Sequence, residues 1–270
     1  MTVYKNYYDS HVHSENSSDA RDSVDAICAS AEKRGVKGIS ITDHCDMDRG
    51  RERCENTKRK LLADIREARE LYGGTLRISA GIELGEANHD QELSRSLAGD
   101  EELDFVIGSL HNLRDDDDFY YTDYDNIDID SLMQRYYEEL YEIVEGGCFD
   151  VIGHINYQLR YMSERARKSV DLSRHYGDLF GILQSAARKG KGIEINTSGL
   201  QRGLGDVIPS LEVIKLFKKA GGEIVTIGSD AHVSRNVGAE IFTAMDTLKA
   251  AGFDQFAYFV KRTPEMIDIE

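Results

Sequence analysis

Six of the eight histidines in this chain stand where an apolar run ends. His11 and His13 close YYDSHVH, His44 closes GISITDH, His111 closes DFVIGSLH and His154 closes DVIGH. The run EIVTIGSDAH ends in Asp230 and His232, and RISAGIEL carries Glu83 at its end. Imidazole and carboxylate together suit Zn²⁺, Mn²⁺ or Fe²⁺, rather than a thiolate cluster or a calcium cage. His11 and His13 are two apart, so on a strand both point inward together, and Asp230 and His232 repeat that spacing. Burying so many imidazoles side by side makes little sense for stability unless they bind metal. The donors exceed what one ion needs, so a centre of two or three divalent ions is expected, with Zn, Mn and Fe all compatible.

A βα alternation must position these groups. Candidate strands lie at 4–12, 36–42, 76–83, 104–110, 150–154, 192–196 and 223–229, with helical patterns between them. In DSVDAICASAEKRG, Val24, Ile27 and Ala31 share one face and Gly35 follows. The stretch 57–72 carries Leu61, Leu62, Ile65, Ala68 and Leu71 before Gly73-Gly74. Segments 131–145, 176–189 and 240–251, and the stretch that Pro209 opens, also stop at glycine, the residue that most readily takes a left-handed cap. Repeated βα units favour a parallel sheet with right-handed crossovers. No glycine-rich phosphate fingerprint follows the first strand, and ligand-type residues follow most strands. Only a closed barrel brings such residues to one mouth. The expectation is an α/β barrel of seven strand–helix units, in a single domain over 1–270. The tail 256–270 adds a short strand or covers the barrel. The acidic stretch RDDDDFYYTDYDNIDID follows His111 and overhangs the mouth at 114–130, as a lid or as a solvated loop.

Bulk properties narrow the function. A chain of 270 residues with 40% hydrophobic content can bury a substantial core. A net charge of −16 disfavours nucleic acid and anionic membrane as partners. No apolar run reaches the length of a membrane span. The start MTVYKNYYDS lacks the layout of a signal peptide, so a cytoplasmic location is expected. Cys28, Cys45, Cys54 and Cys148 form no CxxC pair and are expected to be reduced. Cys45, although next to His44, reads as a small buried hydrophobe. His89 and His175 fall outside the pattern and read as surface or structural residues.

The stretch HVHSENSSDA resembles the first motif of the PHP (polymerase and histidinol phosphatase) superfamily. TDH, the GIEL glutamate, the SLH and GH histidines and the SDAH ending follow in that family's order, over essentially the whole chain. Ser14 and Ala20 stand where Thr and Gly are common, and neither supplies a ligand side chain. The resemblance implies a distorted (β/α)7, TIM-like barrel with a trinuclear centre. The first metal would take His11, His13, Glu83 and Asp230, the second Glu83, His111 and His154, and the third Asp19, His44 and His232. Asp19 enters through the resemblance alone, since a carboxylate after a strand usually caps the next helix.

The INTSGL stretch with Arg202 nearby is similar to a loop of stand-alone histidinol-phosphate phosphatases, in which arginines after strands five and six bind the substrate phosphate. That implies Arg160 and Arg202 here, with Arg165 and Arg167 near enough to compete with Arg160. Strand six itself brings no metal ligand, which leaves its loop to the phosphate. The implied reaction is hydrolysis of a small phosphorylated metabolite, L-histidinol phosphate, to L-histidinol and phosphate in histidine biosynthesis. The enzyme would be a phosphoric monoester hydrolase using a metal-activated hydroxide, with Asp230 or His232 protonating or orienting the leaving alcohol. Asp46, Glu86 and the 115–118 run would suit a cationic alcohol, or simply a solvated face. A sugar, amino-acid or nucleotide phosphate is the alternative substrate. Amidohydrolase-type barrels also begin with HxH but usually place a lysine after strand four, where this chain has His111. PHP domains attached to DNA polymerases offer a non-enzymatic comparison, against which this chain retains every ligand position.

Overall fold

Seven short apolar strands pair in chain order, each parallel to the next. They are β1 (Tyr8–Val12), β2 (Gly38–His44), β3 (Arg77–Gly85), β4 (Phe105–Ser109), β5 (Val151–Ile152), β6 (Gly192–Asn196) and β7 (Val225–Gly228). A bridge between Val12 and Ala231 nearly closes the sheet into a barrel. The Asp230 N–H donates to the His11 carbonyl at 2.8 Å and the His13 N–H to the Ala231 carbonyl at 2.9 Å. The computed structural model describes residues 4–164, 167, 168 and 170–270, so Arg165 lies outside the described residues.

Helices α1 (Val24–Arg34), α2 (Arg51–Tyr72), α3 (Gln91–Ala98), α4 (Ile129–Gly146), α5 (Gln158–Glu164), α6 (Tyr176–Arg188), α7 (Ser198–Gln201), α8 (Leu211–Lys219) and α9 (Ile241–Ala250) fill the connections. Local chemistry sets their limits. The Ser23 hydroxyl accepts the Ala26 N–H at α1, and Gly35 ends that helix at φ 76°. At α4, Asp128 caps the start and Leu132, Met133, Tyr136, Tyr137, Leu140, Ile143 and Val144 form one buried face.

Several boundaries differ from expectation. The first strand starts at Tyr8 rather than residue 4, because pairing with β2 begins at Gly38 while the Lys5 N–H bonds the Glu270 carbonyl. The fifth strand has only two residues, and the seventh is shorter than 223–229. Gly73 is right-handed, so α2 ends without the expected left-handed cap. Pro209 precedes the N-cap Ser210 of α8 instead of opening its first turn. Helices α3, α5 and α7 lie outside the segments expected to be helical.

The tail forms an antiparallel hairpin of β8 (Gln255–Val260) and β9 (Thr263–Asp268), separate from the barrel sheet. It seals the end where the strands begin. The Tyr258 hydroxyl donates to the Ile39 carbonyl, the Lys261 N–H to Asp104 just before β4, and Arg262 to Asp150 just before β5. Phe105, Ile107, Val151, Ala257 and Phe259 pack together there. The opposite end, where the strands finish, stays open for chemistry. Among the described residues no helix is long and apolar enough to cross a membrane.

Candidate metal and phosphate site

All the strand-end groups meet at that open mouth. The register aligns His44 on β2 directly beside Glu83 on β3, so these two are adjacent by backbone pairing alone. A register irregularity between Asp9 and Val12 lies in the stretch of β1 that delivers His11. Asp230 has a left-handed φ of 56°, an uncommon conformation for a non-glycine residue, held by its backbone bond to His11.

Glu83, 1% exposed, is the hub. Its Oε1 lies 2.7 Å from His154 Nε2 and 3.2 Å from His111 Nε2. Its Oε2 lies 3.1 Å from His44 Nδ1, 3.4 Å from His11 Nε2 and 3.5 Å from His13 Nε2. Asp230 Oδ1 is 3.3 Å from His13 Nε2 and 3.9 Å from His11 Nε2. His11 and His13 face each other nitrogen to nitrogen at 3.0 Å. On the outer side, Asp19 Oδ2 lies 3.0 Å from His232 Nε2, and its Oδ1 lies 3.7 Å from His44 Nε2. His44 therefore faces two of the three expected groupings, Asp19 through Nε2 and Glu83 through Nδ1. All nine expected ligand residues come together.

The donor set fits divalent cations. Buried and half-buried imidazole nitrogens and carboxylate oxygens within 4.8 Å of one another form the groups His11–His13–Glu83, His13–His44–His232 and His44–Glu83–His111. Glu83 Oε2 and His44 Nδ1 are fully buried, yet neither makes a hydrogen bond. Orphaned polar atoms of this kind are costly without a partner. Burial alone would raise the Glu83 carboxyl, but His11, His111 and His44 hold it well below the usual carboxylate range. Burial would likewise raise Asp230, which His13, His11 and His232 hold down. Burial, with His232 and His44 close by, lowers the His13 imidazole to about 3, so it is a neutral donor. Burial would also lower His11, His44 and His111, but facing carboxylates hold all three well above their ordinary value.

Two buried carboxylates brace the loops around this centre. Asp9 accepts the Ser229 N–H and hydroxyl and the Gly238 N–H, tying β1 to the segment carrying Asp230. Asp43 accepts the Ser14 N–H and the Ser14 and Ser17 hydroxyls, fixing the turn after His13.

A cleft of about 710 Å³ opens above the hub. Arg160 lines it from α5, 2% exposed, with its guanidinium 4.5 Å from the Tyr157 ring centre and 4.9 Å from that of Tyr161. The guanidinium donates to the Ser198 hydroxyl at 2.8 Å and the Tyr161 hydroxyl at 2.7 Å, while its Nε–H has no partner. Arg202, at the end of α7, lines the rim and is exposed. Arg167 is exposed and does not line the cleft. Asp118, Tyr120 and Tyr121 of the acidic stretch also line the cleft, and that stretch is anchored by buried Phe119 and Tyr124.

Other expectations resolve simply. Cys45 is wholly buried. His175 is buried against Tyr137, and His89 pairs with Glu139 at 2.7 Å, so both are structural. Asp46 and Glu86 lie beside His111, and Glu86 is fully buried rather than on a solvated face. Asp115, Asp116 and Asp117 are exposed and line a separate cavity. Sequence reasoning missed Glu194 of β6. Its Oε1 lies 2.6 Å from His11 Nδ1, and its Oε2 accepts the His154 N–H at 2.8 Å. A lone charge inside the apolar strand GIEIN was the available signal.

Comparison with known proteins agrees with this geometry. The chain is 28% identical to a probable histidinol-phosphatase of Thermotoga maritima, over 92% of this chain and 94% of that protein. It is 26% identical to the histidinol-phosphatase of Lactococcus lactis, over 93% of each. A probable phosphatase of Vibrio vulnificus is 24% identical over 96% of this chain and 91% of its own length. The crystal structure of the Lactococcus lactis histidinol phosphate phosphatase, complexed with zinc, L-histidinol and phosphate, superposes with a TM-score of 0.77. That match has 22% identity and covers 96% of this chain and 99% of the other, so the fold is shared. Residues 9–198 match the PHP domain, and with the strand-end histidines and Glu83 gathered at one barrel mouth the chain belongs to the PHP domain family.

Proposed function

We propose that the protein is a metal-dependent phosphatase that hydrolyses L-histidinol phosphate to L-histidinol and phosphate. The observation that carries this reading is Glu83, one buried carboxylate facing five imidazoles directly below a cleft lined by a buried arginine. His11, His13, Glu83 and Asp230 would hold one ion, Glu83, His111 and His154 a second, and Asp19, His44 and His232 a third. Bound divalent ions would lower the pKa of water and offset phosphoryl charge.

The chain's own residues do the rest. Arg160 is kept charged and oriented by Tyr157, Tyr161 and Ser198, and offers its unpartnered Nε–H to a phosphoryl oxygen. Arg202 adds a second cation from the rim. Burial would raise Asp230, but His13, His11 and His232 hold it well below the carboxylate range, so it accepts hydrogen bonds and has no proton to give the leaving alcohol. His232 donates from Nδ1 to the Asp230 carbonyl at 2.9 Å, which leaves Nε2 facing Asp19. Orienting the leaving alcohol falls to one of these two residues. Asp46 and Asp118 on the cleft wall suit a cationic alcohol, which favours histidinol among phosphate esters. Burial would raise Asp46, but His44 and His111 hold it well below the carboxylate range. We read 1–270 as one catalytic unit, because Asp230 and His232 lie beyond the matched span 9–198 and complete the site.

A second reading, another small phosphate monoester, draws on the relatives named only as probable phosphatases. The test is phosphate release from a panel of phosphorylated metabolites by the metal-loaded protein, with and without chelator. Turnover should favour histidinol phosphate and vanish with chelator. Preference for another ester would replace the substrate, and no turnover of any ester would end the phosphatase reading.

A further inference from the structure

Strand β6 supplies no donor to the metal groupings, yet it aims a charged side chain into the same interior. Glu194 is 1% exposed. Its Oε1 lies 2.6 Å from His11 Nδ1. Its Oε2 accepts the His154 N–H at 2.8 Å and the Asn196 side-chain N–H at 3.2 Å. Gly228 on β7 makes room for this arrangement, since a Cβ there would lie 2.3 Å from His11 Cβ and 2.6 Å from Glu194 Oε1.

We infer that, with metal bound, Glu194 is a positioning residue that keeps the one ring proton of His11 on Nδ1, leaving Nε2 as the donor edge toward His13, Glu83 and Asp230. Oε2 already accepts two N–H groups, and the carboxylate acts as an acceptor at Oε1 as well, so the His11 nitrogen 2.6 Å away supplies the proton. An imidazole that ligates a metal carries one ring proton, so commitment of that proton to Nδ1 turns the Nε2 lone pair to the other side. Nε2 is the atom 3.0 Å from His13 Nε2 and 3.4 Å from Glu83 Oε2. By its second oxygen, Glu194 also secures the backbone of His154, so one side chain serves two of the proposed metals. This inference rests on the metal reading above.

The geometry makes an unusual demand on Glu194→Gln. The amide oxygen is needed by the His154 and Asn196 N–H groups. The amide NH₂ must then face His11 Nδ1, where it can only donate. His11 would answer by carrying its proton on Nε2, the tautomer that cannot ligate. A near-isosteric substitution should therefore harm metal binding at least as much as Glu194→Ala, which imposes no tautomer. A purely structural role predicts the reverse order.

The experiment strips both variants and wild type of metal, then titrates Zn²⁺ against a chromophoric chelator while thermal melts follow the metal-free fold. Glu194→Gln should melt close to wild type and bind zinc about 10- to 100-fold more weakly, the usual loss when such a support is removed. Unchanged zinc affinity in Glu194→Gln, or a milder effect than Glu194→Ala, overturns the inference. Failure of wild type itself to bind zinc overturns the metal reading instead. Should Glu194→Gln fail to fold, ¹⁵N spectra of zinc-loaded wild type decide. The His11 ring proton must be on Nδ1, and a proton on Nε2 refutes the assignment.

Discussion

Arg160→Lys isolates what a guanidinium does here that a charge alone cannot. Arg160 sits 2% exposed, stacked near two tyrosine rings, with one N–H on Ser198 and one on Tyr161. Its Nε–H is buried and unpartnered, which costs about 1–3 kcal/mol until a ligand oxygen arrives. A lysine keeps the positive charge near Asp230, now 3.7 Å from the guanidinium, but loses the planar fork and the second donor edge. One charge-assisted hydrogen bond is worth about 1.5–3 kcal/mol, so kcat/KM should fall roughly 10- to 150-fold. The phosphate dianion is present before and during reaction, so most of the loss should appear in KM. Steady-state phosphate release, with zinc content measured on the same samples, separates this effect from lost metal. A variant with full zinc and kcat/KM within about threefold of wild type, well under 1 kcal/mol, would refute the phosphate role.

Four further outcomes follow from the same geometry. Glu83→Gln should lose bound metal and turnover together, since one charge faces all five imidazoles; a metal-replete, active variant would contradict the hub. Arg202→Ala, on the exposed rim, should raise KM by only about 2- to 10-fold, the range for a partly solvated hydrogen bond; unchanged KM and kcat remove it from the site. Zinc at about 100 times its Kd should add roughly 2.7 kcal/mol to stability, or about 5–10 °C in Tm, and chelator should reverse the shift. Metal loading near neutral pH should release protons. Burial would lower the His11, His44 and His111 imidazoles, but carboxylates hold them well above their ordinary value, so the empty site retains protons that ligation must expel. Calorimetry in buffers of different ionisation heat reads this directly, and zero release or net uptake would be inconsistent with it.

Eight of the nine candidate ligands were legible because two patterns coincide in a parallel barrel. Buried strands read as apolar runs, and every strand delivers its last residue to the same mouth. Asp19 was legible only by resemblance, because it sits on a loop where no periodicity marks it. The bracing groups were hidden for a related reason. Asp9, Asp43 and Glu194 lie within strands or at their ends, and a single carboxylate there has no spacing partner in sequence. Their partners are the Ser229 backbone, the Ser14 turn and the His11 ring, all distant along the chain or defined by a turn. Arg160 was singled out through the resemblance, yet its helix α5 was not legible, since seven residues are too few to show a helical period. The closing hairpin was ambiguous because its contacts, Tyr258 to Ile39 and Arg262 to Asp150, are purely tertiary.

Glu83 and Glu194 divide the work of the barrel interior by the strand each occupies. Glu83 on β3 turns toward five ring nitrogens, and its neighbour His44 is fixed beside it by register. Glu194 on β6 approaches His11 from the opposite ring edge, at Nδ1 rather than Nε2. His11 is thus held between two carboxylates that ask different things of it, Glu194 accepting a hydrogen bond from its Nδ1 and Glu83 facing its Nε2, where the proposed cation would be shared. If both carboxylates merely neutralised positive charge, glutamine at either position would weaken zinc binding by similar amounts through lost attraction alone. The tautomer argument predicts that alanine at 194 is no worse than glutamine, whereas at 83, where a ligand oxygen is itself removed, alanine is worse than glutamine. Opposite rank orders at the two positions would therefore separate proton placement from charge balance within one pocket.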